Sequence, residues 1–128
     1  MSLEAPTMEA GMQSEQVYWV FTVTFDQIDK FTPLIPKLLA ATEKEPGALQ
    51  FECHVGADQK TVDFFERYSD SKAALFHQTA SFAPFSKELF AVAELTRWVI
   101  YGTPSDEFRK ANADFHPIYR TPIDGFVR

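Results

Sequence analysis

The sequence ALQFECHVGADQKTVDFFERY, from Ala48 to Tyr68, has the pattern of a β-hairpin. In residues 48–55 apolar and polar side chains alternate, as they do in a strand that is buried on one face. Residues 56–60, GADQK, have the composition of a turn, and residues 61–68, TVDFFERY, provide the returning strand. We therefore predict a hairpin whose first strand buries one face consisting of Leu49, Phe51, Cys53 and Val55.

A strand and a helix are predicted before this hairpin. Residues 17–25, VYWVFTVTF, are β-branched and aromatic, which is typical of a strand. The apolar spacing of residues 31–39 predicts an amphipathic helix. Thr32 could cap this helix with Pro33 at its first position, and Pro36 then predicts a kink or a late start.

Two helices and a strand are predicted after the hairpin. Ser69, Asp70 and Ser71 offer capping oxygens to a short helix that carries His77, and Ser81 is the predicted cap of the following helix. Residues 95–101, LTRWVIY, form the last strand. The order β-α-β-β-α-α-β is that of a ferredoxin-like α+β domain with a split βαβ arrangement.

This order predicts an open, four-stranded antiparallel sheet with helices on one face. The other face is then left exposed, and an apolar sheet face is usually covered by a second copy of the chain. We therefore expect a homodimer.

Composition limits the classes of function. The chain has 128 residues, a net charge of -6 and a pI near 5.0, which disfavours nucleic acid and anionic membranes as partners. Its apolar runs are too short to span a bilayer. One cysteine excludes an internal disulfide, and without a recognisable signal peptide we expect a cytoplasmic location. With 13 phenylalanines, four tyrosines and two tryptophans, rings form the core or also line a cavity for a flat apolar ligand.

His77 is the histidine whose neighbours distinguish it. His54, His77 and His116 lack the spacing of a metal site, so no metal is predicted. On a helix, His77 shares a face with small residues, among them Ala73 and Ala74. This row of small side chains indicates either a pocket beside the imidazole or a close approach of helix and sheet. The spacing leaves both interpretations open.

Glu66 is a carboxylate among ring positions, on the same strand face as Phe64 and Tyr68. Such a group lies either at a sheet edge or in the interior with a partner, and the candidate partners are Arg67, Arg97 and His77. Cys53 belongs to an apolar stripe without a cationic neighbour, which favours a core position over a nucleophile.

Three segments resemble the signature of the antibiotic biosynthesis monooxygenase family, which includes quinol monooxygenases. They are EPGALQFECH, residues 45–54, FFERYSD, residues 64–70, and FHQTASFAPF, residues 76–85. The resemblance covers about residues 17–101 and implies a dimeric α+β barrel with a pocket between the sheet and the helices of each subunit.

The resemblance also implies chemistry without a metal, flavin or other cofactor. A small aromatic or quinol-like substrate activates dioxygen itself once it is deprotonated, in a dry pocket that supplies a base. His77 is the implied base, because an imidazole titrates near neutrality, and Glu66 is the second catalytic residue. The predicted substrate pocket consists of Tyr68, Ser81, Phe82, Phe51, Phe64 and Trp98.

At several positions the residue differs from the one that is common in this family or in its relatives. Tyr68 stands where the family commonly has tryptophan, and Ser81 where many members have a second histidine. A haem-degrading branch has tryptophan at the position of His77, so haem oxygenation is disfavoured. Other relatives are isomerases, and an isomerase or a non-catalytic dimeric binding module are the alternatives to a monooxygenase.

The chain is expected to have three parts. Residues 1–14 are a disordered tail, residues 15–102 are the monooxygenase-like domain, and residues 103–128 are an extension with a short helix and an extended tail. We predict that the extension crosses a second subunit or the mouth of a pocket, with the anchors Phe115, Tyr119 and Phe126.

Overall fold

Five strands form one sheet in the order β2-β3-β1-β4-β5 in the computed structural model, which describes residues 15–128. They are β1 Val17–Phe25, β2 Ala48–Val55, β3 Thr61–Tyr68, β4 Ala93–Gly102 and β5 Ile118–Arg120. Strands β1 to β4 pair in antiparallel fashion and have the ferredoxin-like order, which confirms the predicted α+β class. The tail predicted for residues 1–14 lies outside the described residues.

The prediction of four antiparallel strands is wrong in one respect, because β5 adds a parallel strand beside β4. This strand has three residues and lies between Pro117 and Pro122, so its sequence predicts only an extended tail. An edge strand tolerates flanking prolines because one side of its backbone needs no sheet partner. Tyr119 lies opposite Ile100 of β4, which draws the extension onto the sheet of the domain.

Five α-helices accompany the sheet within residues 15–128. They are α1 Ile28–Phe31, α2 Leu34–Glu43, α3 Ser71–His77, α4 Ala83–Val92 and α5 Asp106–Ala111. Pro33 occupies the N-cap position of α2, so the predicted cap at Thr32 is wrong. Pro36 falls in the first turn of α2, where a backbone N–H has no helical acceptor, and the late start predicted from the prolines is observed.

A π-helical turn joins α3 to α4. Asp70 caps α3 by accepting a 2.8 Å hydrogen bond from the Ala73 N–H, as the sequence predicts. Residues Gln78–Phe82 are π-helical, and the Ala83 N–H bonds to the Gln78 carbonyl five residues earlier. Ser81 lies inside this turn and does not cap α4, which corrects the sequence prediction. Such turns occur frequently at functional sites.

The core lies on one face of the sheet. Alternate residues of β1 and β3 are buried, so Phe64, Glu66 and Tyr68 share the inner face as predicted. Strand β2 is an edge strand with a bulge between Ala48 and Gln50. Its apolar face is therefore only partly buried: Phe51 and Cys53 pack against the core, whereas Leu49 and Val55 are both 49 % exposed. Within residues 15–128 no helix combines the length and hydropathy needed to cross a membrane.

Candidate functional site

The imidazole of His77 lies between two buried carboxyl groups. Its Nδ1 is 3.0 Å from Glu45 Oε2, and its Nε2 is 3.4 Å from Glu66 Oε1. His77 is only 2 % exposed, and both glutamates are also buried. The three side chains come from the last residue of α3, the turn before β2 and the inner face of β3. The fold thus converts one histidine and two distant glutamates into an acid–base cluster.

The turn that carries Glu45 is held tightly against α3. The Glu45 N–H donates to Thr42 and its carbonyl accepts from the Ala48 N–H, at 3.0 and 3.1 Å. A Cβ atom on Gly47 would lie 2.5 Å from the Ala73 Cβ, so only glycine fits at this point of contact. The small residues beside His77 therefore do reflect close packing, and this packing is against the turn before β2.

Glu66 has two partners in the interior. The Tyr68 hydroxyl donates a 2.6 Å hydrogen bond to Glu66 Oε1, the same oxygen that His77 approaches. Burial raises the pKa of Glu66 above its ordinary value of 4.5, whereas attraction to a protonated His77 and the bond from Tyr68 oppose this shift. The phenol of Tyr68 also has a raised pKa, because it is buried beside this carboxyl group.

The partner of Glu66 is His77 and neither of the two candidate arginines. Arg67 points to the outer face, where it donates to Gln16 at 2.7 Å and lies 4.0 Å from the Tyr18 ring. Arg97 is exposed and pairs with Thr22 in the sheet register. Of the partners considered from the sequence, only the imidazole is on the inner face.

Ser81 lies one turn after His77 and is also buried. Its hydroxyl donates to Glu45 Oε2, the oxygen that contacts His77 Nδ1. The other oxygen of Glu45, Oε1, is buried without a hydrogen-bond partner among residues 15–128. Glu45 is therefore held through one oxygen by an imidazole and a hydroxyl.

A cavity of about 480 Å³ lies beside this cluster, and both Glu66 and His77 contribute to its wall. Its other polar residues are Gln78, Thr79, Ser86 and Asn112. The apolar part of the wall is formed mainly by rings and leucines: Trp19, Phe21, Phe64, Phe82, Phe90, Trp98, Phe115, Leu38, Leu75 and Leu89. A flat apolar ligand would thus contact rings over most of its surface and acid–base groups at one place.

The residues predicted for the pocket fall into two groups. Phe64, Phe82 and Trp98 line the cavity. Tyr68, Ser81 and Phe51 are not among its lining residues: Tyr68 and Ser81 bond to the two glutamates, and Phe51 packs on Phe64 with ring centroids 5.7 Å apart. These three residues can influence a ligand only through the side chains that they contact.

The C-terminal extension closes part of the cavity. Asn112 and Gln78 form a reciprocal amide pair, with N···O distances of 2.8 and 3.2 Å, and Asn112 Nδ2 also donates to the Phe108 carbonyl at 2.9 Å. The ring of Phe115 lies 6.0 Å from that of Trp98 at the cavity wall. The extension therefore contributes cavity residues to its own domain.

Two of the three predicted anchors of the extension contact the domain. Phe115 lines the cavity, and Tyr119 packs on the core with Arg109 4.2 Å from its ring centroid. Phe126 is 70 % exposed, so the prediction that it anchors the tail is not met within this chain.

The remaining candidate residues lie outside the cluster. His54 is exposed on the outer face and contacts Glu52 at 3.1 Å, and His116 is exposed after α5. Burial, together with the Glu66 charge, raises the pKa of Cys53 to about 12, so its thiol is a poor nucleophile. Neither histidine nor the cysteine adds a group to the cavity wall.

Sequence reasoning missed Glu45, Gln78 and Asn112. The pattern EPG around Glu45 indicates a helix end, and this local role hides its long-range contact with His77. Gln78 and Asn112 are 34 residues apart, and neither has a neighbour in sequence that signals an amide pair. The one available signal was the order of the segments that resemble the monooxygenase family, in which EPG comes first.

The sequence matches no protein-family model. It also matches no curated protein. The fold, however, is similar to solved structures. MupZ from Pseudomonas fluorescens superposes with a TM-score of 0.83 at 21% identity, and the match covers 92% of this chain and 93% of MupZ. Because residues 103–128 are about a fifth of the chain, this match must include part of the extension.

Two further structures connect the fold to oxygenases. SnoaB, a cofactor-independent oxygenase from Streptomyces nogalater, has a TM-score of 0.63 at 15% identity over 72% of this chain and 96% of SnoaB. A putative antibiotic biosynthesis monooxygenase from Nitrosomonas europaea has a TM-score of 0.64 at 20% identity over 72% of this chain and 93% of its own. At sequence identities of 15% and 20%, the similarity to these two proteins shows a shared fold and nothing more. The chain therefore has the fold of the antibiotic biosynthesis monooxygenases, as its sequence motifs predict.

Proposed function

We propose that the protein is a cofactor-independent monooxygenase that oxidises a small aromatic, quinol-like molecule with dioxygen. The observation that carries this proposal is the pair of Glu66 and His77, 3.4 Å apart, at the wall of a cavity that is otherwise mostly aromatic. A ring-lined cavity binds a flat substrate and limits water, and the pair can accept the proton of a phenolic hydroxyl.

For a phenolic substrate that also has a ring methylene, such as a dihydroxy-anthrone, the proposed reaction converts this methylene into a carbonyl. A phenolic proton moves to the Glu66–His77 pair, and the electron-rich phenolate reduces dioxygen. One oxygen atom forms the new carbonyl, and the other leaves as water with the two hydrogens of the methylene. The proton that the pair accepted returns to the phenolate oxygen. The chain contributes a binding surface, a proton acceptor and exclusion of water.

Oxygen uptake tests this proposal. Purified protein is given a panel of hydroquinones and dihydroxy-anthrones, and its uptake is compared with that of His77→Gln and Glu66→Gln. Loss of the acid–base pair is expected to lower kcat about 10²-fold to 10⁴-fold. His54→Gln is the matched control, because His54 is exposed and lies outside the cavity. Uptake that is equal in wild type and His77→Gln would remove His77 as the base.

An isomerase is the second candidate, and the two adjacent proton carriers favour it. Glu66 and His77 could remove a proton from one atom of a ligand and return it to another, with no oxygen consumed. Deuterium exchange into a bound substrate without oxygen uptake would support this reaction. Binding of aromatic ligands with neither exchange nor uptake would instead indicate a non-catalytic binding protein.

The proposed enzyme acts as a homodimer that pairs through the outer face of the sheet. Phe65 on this face is 41 % exposed, and the Tyr18 and Tyr101 rings stack there with centroids 5.4 Å apart. Such partly exposed rings are typical of surfaces that bind a second chain. Light scattering at micromolar concentration is expected to give twice the monomer mass, and a monomer would contradict the assembly.

A further inference from the structure

We infer that Glu45 is the positioning residue of the site, which holds the His77 ring and keeps its hydrogen on Nδ1. The Nε2 atom, with its lone pair, then faces Glu66 and the cavity. This inference deepens the proposed function, because a base must present an unprotonated nitrogen. The ring orientation itself can be tested without any substrate.

The hydrogen bonds of Glu45 Oε2 determine this arrangement. The oxygen receives the Ser81 hydroxyl and lies 3.0 Å from His77 Nδ1. Glu45 Oε2 and Glu66 Oε1 can both accept from the ring, but the Nδ1 contact is the shorter one, 3.0 Å against 3.4 Å, so we place the hydrogen of a neutral imidazole on Nδ1. When the imidazole is neutral, Nε2 is then free to take a proton.

The position of Glu45 is set by its backbone. The turn at residues 45–47 presses against α3, where Gly47 leaves no room for a side chain beside Ala73. The carboxylate is buried, and its Oε1 has no hydrogen-bond partner within the described part of the chain. A buried carboxylate is stabilised only by the groups that bond to it. The imidazole and the hydroxyl at Oε2 are therefore held firmly.

Glu66 lies on the opposite side of the His77 ring, at the cavity wall. His77 Nε2 approaches Glu66 Oε1 at 3.4 Å, and Tyr68 donates to that same oxygen. The titratable groups around the imidazole are thus Glu45 from the turn, Glu66 and Tyr68 from β3, and Cys53 near Glu66 on β2. Among them only Glu45 contacts Nδ1.

The test measures the tautomer of His77 in ligand-free protein by two-bond ¹H–¹⁵N correlation spectra of ¹⁵N-labelled imidazoles. In wild type we expect a protonated Nδ1 and an unprotonated Nε2. In Glu45→Leu the remaining acceptor near the ring is Glu66, so the hydrogen is expected to move to Nε2. Glu45→Gln keeps one acceptor oxygen and is expected to retain more of the original tautomer.

Kinetics and a matched control complete the experiment. Glu45→Leu is expected to lower kcat at least about tenfold with little change in KM, since Glu45 does not line the cavity. Glu52→Leu is the control, because Glu52 contacts His54 at 3.1 Å on the exposed face and should leave the His77 spectrum unchanged.

The outcomes separate this inference from the proposed function. If Nε2 stays unprotonated in a folded Glu45→Leu protein, Glu45 does not set the tautomer and the inference is overturned. If Glu45→Leu does not fold, the same comparison is made with Glu45→Ala, which also removes the acceptor of Nδ1, and an Nε2 that stays unprotonated there overturns the inference. If the tautomer changes as expected while wild type oxidises no substrate, the positioning role stands and the monooxygenase proposal fails.

Discussion

Tyr68 donates a 2.6 Å hydrogen bond to Glu66 across one intervening residue of the same strand. The bond stabilises the charged form of Glu66, so Tyr68→Phe is expected to raise the pKa of this carboxyl group further. Loss of a bond to a buried acidic group should lower the free energy of unfolding by about 1.5–3 kcal/mol. Carboxyl ¹³C titration and urea unfolding measure the two effects.

The control for this change is Tyr101→Phe, because Tyr101 stacks on Tyr18 at the outer face, away from the cavity. We expect it to leave the Glu66 resonance and its titration unchanged. An unchanged Glu66 titration in Tyr68→Phe would contradict the role of this hydrogen bond.

His77 should also be important for stability, because it lies between two buried carboxyl groups. His77→Ala leaves Glu45 and Glu66 without this partner and is expected to lower the free energy of unfolding by about 3–5 kcal/mol. His54→Ala, at an exposed position, should change it by less than about 0.5 kcal/mol. Urea denaturation at pH 7 gives both values, and similar losses in the two variants would be inconsistent with a buried cluster.

The raised pKa of Glu66 predicts a specific dependence of the free energy of unfolding on pH. Its pKa is raised in the folded state, so the folded protein binds this proton more tightly than the unfolded chain does. The resulting stabilisation is fully present below the ordinary value of 4.5 and is lost as the pH rises through the raised pKa. Wild type should therefore lose stability relative to Glu66→Gln as the pH rises above 4.5.

Unfolding of the two proteins in urea at several pH values between 4 and 8 measures this difference. Comparison with Glu66→Gln removes the contributions of groups that titrate independently of Glu66, although His77, Glu45 and Tyr68 are coupled to it. A difference that stays constant, or that grows in favour of wild type as the pH rises, would show that burial does not raise the pKa of Glu66.

The fold was largely predictable from the sequence because its signals are local. Alternation defines β1 and the hairpin, and a capping Asp70 begins α3. Strand β5 was not predictable, since three residues between two prolines have no pattern of their own and pair only once β4 exists. Local sequence patterns thus indicate the helices and strands β1 to β4, whereas the edge strand β5 forms only through tertiary pairing with β4.

The candidate site was predictable only in part for a related reason. Glu66 and His77 stand out because polar groups interrupt apolar stripes. Glu45 does not, because a turn before a strand is an ordinary place for a glutamate, and its contact with His77 spans 32 residues. Ser81 shows the same limit: its hydroxyl suits a helix cap, but the π-helical turn directs it to Glu45 instead.

The amide pair of Gln78 and Asn112 should determine how firmly the extension closes the cavity. Asn112→Leu removes both bonds to Gln78 and leaves the Phe108 carbonyl without the Asn112 donor. A buried polar group that loses its partner costs about 1–3 kcal/mol, so α5 should detach more often. Trypsin is then expected to cleave faster after Arg109 and Lys110, which lie in α5.

A double-mutant cycle measures the interaction energy between Gln78 and Asn112 apart from their contacts with other residues. Gln78→Leu and Asn112→Leu together replace both amides by apolar groups of similar size, so neither of these two side chains is left without the other. The double variant should therefore lose less stability than the two single losses combined, with a coupling of about 0.5–3 kcal/mol. Gln50→Leu, at an exposed position, is the control. Strictly additive losses, with trypsin cleavage unchanged in Asn112→Leu, would mean that the amide pair does not hold the extension in place.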